Sequence, residues 1–72
     1  MISQNIKEKV DFYLEKKIPV HIKNVDGSWD NGTIVEYESK NVLVFLEAKR
    51  GLIHIFLSDI ADIEDLRMEA KG

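Results

Sequence analysis

The ionisable side chains come first: thirteen acids, ten lysines and arginines, two histidines and no cysteine. Asp26, Asp30, Glu36, Glu38 and Glu47 crowd the middle of the chain, but no two of them form an acid–base pair of the kind general acid–base catalysis requires. Ser3, Ser28, Ser39 and Ser58 have no histidine beside them in a nucleophile motif. There is no glycine-rich phosphate loop. His21 and His54 are too few for a self-sufficient zinc site, and no carboxylate stands at close ligand spacing to either. The residues therefore spell out no enzyme, no metal site and no cofactor. What remains is recognition chemistry. Trp29 and Tyr37 are able to stack on nucleobases, although aromatics on a small domain also serve as packing anchors. Lys40 and Asn41 offer a cation and an amide within Glu38–Asn41, a stretch whose Ser and Asn equally suit a plain turn. Lys7, Lys9, Lys16 and Lys17 suit either phosphate contacts or a solvated helix face.

These side chains need elements to hold them. Ile6, Val10, Tyr13 and Leu14 fall on one face of a helix expected over residues 3–16, with Ser3 as its cap. Pro19 forbids continuation. The period then changes from 3.6 to 2: Ile18, Val20 and Ile22 alternate with Pro19, His21 and Lys23. Asp26-Gly27 is the signal of a two-residue hairpin turn. A second strand runs through Trp29, Gly32, Ile34 and Tyr37, and its internal glycine marks a sharp bend or a close backbone approach. Val42–Leu46, Leu52–Leu57 and Ile60–Ile63 complete five strands, with a polar tail over 64–72. Every link is short, which predicts antiparallel neighbours in a five-stranded meander. A bent second strand lets such a sheet curl into a small barrel.

Strands three and four do not alternate, so both of their faces are apolar. One face lines the barrel. The other, beside an unpaired strand edge, is expected to join a second copy. Leu52, Ile53, Ile55, Phe56, Leu57, Ile60 and Ile63 are the expected interface residues.

Seventy-two residues make one domain, and without disulfides or thiolate metal sites association is its natural extra stabiliser. Net charge is −3, distributed as +2 over residues 1–25, −4 over 26–48 and −1 over 49–72. This is not the basic surface of a typical polyanion binder, so nucleic-acid affinity would need local clustering or repetition. The apolar runs are too short for a membrane span, and Met1–Lys7 lacks the basic and apolar regions of a signal peptide. A soluble, cytoplasmic chain with no membrane partner and no small-molecule substrate is expected.

Residues 4–63 resemble the Sm-like family of Sm, archaeal Sm-like and Hfq-type RNA-binding proteins. The resemblance rests on the leading helix, on Ile18-Pro-Val-His-Ile22, on Asp26-Gly27, on Gly32-Thr-Ile34 and on Tyr37-Glu38. Where Sm proteins carry Arg-Gly and Hfq-type proteins Lys-His, between strands four and five, this chain has Leu57-Ser58-Asp59. The resemblance implies a mostly β fold: an N-terminal helix, then a strongly bent antiparallel sheet forming a small open SH3-like barrel. It implies a non-catalytic homo-oligomeric ring, joined fourth strand to fifth, that binds single-stranded RNA as a chaperone or processing scaffold. Tyr37, Lys40, Asn41, Lys49 and Arg50 are the RNA-binding candidates. A ring that serves as a protein-interaction scaffold without the usual RNA pocket is the alternative.

Overall fold

A computed structural model of the chain describes residues 4–66. Helix α1 (Gln4–Lys16) is followed by strands β1 (Val20–Asn24), β2 (Trp29–Ser39), β3 (Val42–Glu47), β4 (Gly51–Phe56) and β5 (Ile60–Asp65). A single 3-10 turn, Leu57–Asp59, joins β4 to β5. The expected mostly β architecture, a helix ahead of a bent five-stranded antiparallel sheet that stays open, is the one observed.

The helix buries Ile6 and Val10, one turn apart, against the sheet. Tyr13 and Leu14 pack partly on the same core. Its end is a Schellman motif: Ile18 N–H donates to Tyr13 O at 3.2 Å and Lys17 N–H to Leu14 O at 3.3 Å. Lys17 takes the left-handed conformation there, with φ 58°. Ser3, the expected cap, lies outside the described residues.

The strand order is β4-β3-β2-β1-β5. This corrects the simple meander: β5 does not lie beside β4 but returns to β1, antiparallel. The 3-10 turn makes the reversal and buries Leu57 at its start. Strand β5 then carries a bulge, because Asn24 faces Ile60 while Lys23 faces Asp62. The extra residue, Ala61, lets Ile60 and Ile63 both point into the core although they are three apart. Glu64 and Asp65 belong to β5, so the polar tail does not begin at 64. Residues 67–72 of that expected tail lie outside the described residues.

One further correction concerns the first hairpin. Lys23 pairs with Trp29, and Asn24 N–H donates to Ser28 O at 2.8 Å. The loop is therefore the three residues Val25-Asp26-Gly27, with Gly27 at φ 93°. Asp26 Oδ1 stabilises it by accepting from Ser28 N at 2.9 Å and Ser28 Oγ at 2.7 Å. Next, β2 bends at irregularities around Val35 and Glu38, where its register against β3 shifts. Gly32 marks a close approach instead: a Cβ there would sit 2.0 Å from Leu46 O.

The inner face of the sheet and α1 enclose Val20, Ile22, Ile34, Leu43, Phe45, Ile55, Ile60 and Ile63. Of the expected interface residues, Ile55, Leu57, Ile60 and Ile63 are thus buried within the chain, so their side chains serve its own core. Leu52 and Phe56 are exposed and Ile53 is half-buried. On the outer face, Val42, Val44 and Leu46 stand opposite Phe56, His54 and Leu52, an apolar strip crossed by His54. Among the described residues no helix is long and apolar enough to cross a membrane.

Candidate functional site

The five residues expected to meet RNA do not converge on one surface. Lys40 and Asn41 form the exposed β2–β3 turn. Asn41 O accepts from Leu57 N at 2.9 Å, which ties this turn to the 3-10 segment Leu57–Asp59. Lys49 and Arg50 form the β3–β4 turn, at the other end of β3. Six residues of strand separate the two turns, about 3.3 Å per residue.

Arg50 is already engaged. Its Nη2 pairs with the carboxylate of Asp30, which is buried and also accepts from Asn24 Nδ2 at 2.9 Å. Glu47 Oε1 accepts from Arg50 N at 2.7 Å, Lys49 N at 2.9 Å and Arg50 Nε at 3.4 Å. The Arg50 and Lys49 backbone N–H groups hold the Glu47 carboxyl below its ordinary range. This cluster latches the β3–β4 turn to the start of β2. A cavity of about 320 Å³ opens beside the latch, between the unpaired β4 edge and the β1–β2 turn. Its wall includes Ile53, Ile55 and Phe56 as well as Asp30 and Arg50.

Tyr37 is also committed elsewhere. Its hydroxyl donates to Asp11 Oδ1 at 2.5 Å, and Lys7 Nζ lies 5.1 Å from the ring centroid. Burial, with Asp11 adding to it, pushes the phenol well above its ordinary pKa. Tyr37 therefore fastens α1 to β2. His54 Nε2 meets Glu38 Oε1 at 2.6 Å across the outer face. Among the described residues, no group of three or more histidines and carboxylates is placed to hold a metal ion.

The outer face of β1 and β2 presents a different set. The register places Lys23 opposite Trp29 and His21 opposite Asn31. The His21 imidazole stacks on the Trp29 indole, centroids 3.8 Å apart and planes 21° apart. His21 Nδ1 is hydrogen-bonded to Asn31 Oδ1. Lys23 Nζ lies 5.8 Å from the indole centroid. Trp29 remains 43% exposed, so the indole, stacked on His21 and with the Lys23 ammonium over its ring, still meets solvent. An exposed, braced aromatic ring with a cation over it has the chemistry to stack on a nucleobase or on another planar group.

The platform was hidden by the turn. A two-residue loop at Asp26-Gly27 would pair Trp29 with Asn24 and turn the indole toward the side of Ile22. The third loop residue shifts the register by one and puts Trp29 on the face of His21 and Lys23. The alternation of His21 and Lys23 with buried Val20 and Ile22 was the available signal for that polar face.

The sequence matches no protein-family model and no curated protein. Solved structures do match. Against a crystal structure of the pleiotropic translational regulator Hfq the TM-score is 0.67 at 18% identity, covering 79% of this chain and 92% of that one. Against an Hfq protein from Anabaena sp. it is 0.64 at 21% identity, covering 88% and 98%. The chain has the Sm-like fold of Hfq. At these identities the likeness is one of backbone, and it covers nearly the whole of both Hfq chains.

Proposed function

We propose that the chain is a non-catalytic RNA-binding protein that acts as a ring of identical copies joined β4 to β5. The observation that carries the RNA reading is the braced indole of Trp29 with Lys23 at its side. The Hfq fold supports it, since one neighbour is a translational regulator by its description. The ring is supported by the topology: β4 and β5 are the two unpaired edges of one open sheet. Edge-to-edge closure satisfies both rows of free backbone groups. Repetition around a ring would offset the weak positive charge of a single platform.

Trp29 is the one tryptophan of the chain, so its fluorescence reports on the platform directly. Titration with short single-stranded RNA at low salt should quench the emission. Trp29→Ala should weaken binding about tenfold or more, since a stacked base is worth about 1–3 kcal/mol. A folded wild-type protein whose emission does not respond to RNA would refute the reading. The exposed strip of Leu46, Leu52 and Phe56 favours the second reading, a ring that scaffolds other proteins. Association with a protein partner that survives nuclease, together with no response to RNA, would select it.

A further inference from the structure

We propose that His21 is a positioning residue that makes the Trp29 platform grip RNA more tightly as the pH falls. This rests on the reading that the platform binds RNA. The imidazole stacks on the indole at 3.8 Å, Lys23 Nζ lies over the ring at 5.8 Å, and the indole keeps 43% of its surface exposed for contact with a base. It cannot swing away freely, because Nδ1 is hydrogen-bonded to Asn31 Oδ1. An amide oxygen only accepts, so Nδ1 carries the proton in this bond, and a second proton has to go to Nε2. Gaining it costs no contact that holds the stack.

Charged and polar groups face His21 from each neighbouring strand. His21 faces Trp29 and Asn31 on β2, shares its face with Lys23 on β1, and pairs with Glu64 on β5. Beside Glu64, Asp62 pairs with Lys23 and is held at 2.8 Å by Lys9 of α1. Histidine is the side chain whose ordinary titration falls between pH 5 and 8. A charged imidazolium against the indole keeps the stack through cation–π attraction. It also places a second positive charge next to Lys23, where the phosphate beside a stacked base would lie.

The test is fluorescence anisotropy of a labelled six-nucleotide RNA at constant ionic strength, at pH 8 and pH 5.5. Wild type should bind about fivefold more tightly at the lower pH, the effect of one added charge about 4 Å from a phosphate in water. The dependence of log K on log salt should steepen by about 0.7, the value for one further phosphate contact on a single strand. His21→Phe keeps an aromatic ring on Trp29 and has no proton to gain, so its affinity should be the same at both pH values. His54→Gln, on β4 and away from the platform, should keep the wild-type response. A His21→Phe protein that retains the full pH response overturns this inference and leaves the RNA reading standing. No RNA binding by wild type at either pH overturns both.

Discussion

Gly32 sits where β2 presses on β3 so closely that a methyl group would meet Leu46 O at 2.0 Å. Gly32→Ala should therefore cost about 3 kcal/mol, because the clash is with backbone and neither strand can yield without breaking its pairing. Chemical denaturation would measure it. Lys17 is the opposite case, a side chain carried at φ 58° where the helix cap asks for glycine. Lys17→Gly should stabilise the protein by about 0.5–1 kcal/mol, and a rise in the denaturation midpoint would show it. The two sites also show what single residues reveal in a sequence. A glycine inside a strand announces its constraint by its type. Lys17 does not, since a lysine at a helix end looks favourable for the dipole, and only the backbone angle exposes the strain. Tyr37 and Arg50 looked equally available, yet Asp11 holds one and Asp30 with Glu47 the other. Asp11 and Asp30 lie far along the chain from the residues they hold, and such partners leave no local pattern.

Among elements, the contact between α1 and β5 rests on a titratable pair. Lys9 Nζ donates to Asp62 Oδ1 at 2.8 Å and to Ile63 O at 3.3 Å. The Lys9 hydrogen bond, outweighing desolvation, holds the Asp62 carboxyl below its ordinary range. A carboxyl whose folded pKa is depressed contributes stability that is complete above its unfolded value and is lost as the pH drops through the folded one. Helix docking should therefore weaken on acidification below about pH 4. Asp62→Asn should flatten that part of the profile, read as the thermal midpoint between pH 6 and pH 3. The elements themselves were legible, because the change from helical to alternating period at Pro19 is sharp. Their pairing was less so. Short links pointed to neighbours in order, but the bulge at Ala61 and the turn at Leu57–Asp59 send β5 back to β1. One extra residue in the first hairpin loop was enough to move Trp29 to the other face.

At the scale of the whole molecule, one open sheet leaves β4 and β5 unpaired and an apolar strip exposed beside β4. Leu52 and Phe56 are 66% and 55% exposed, so charging them leaves the core intact. Leu52→Lys with Phe56→Lys should give a folded protein of lower mass by light scattering, with the wild-type circular dichroism. In the proposed ring, copies link through their edges and each offers its Trp29 indole to single-stranded RNA. Sedimentation velocity of the full chain at micromolar concentration, followed through a label on a short RNA, tests both halves together. The label should sediment with a complex several times heavier than the 8.3 kDa chain. Free label beside a monomeric protein at low salt would contradict it.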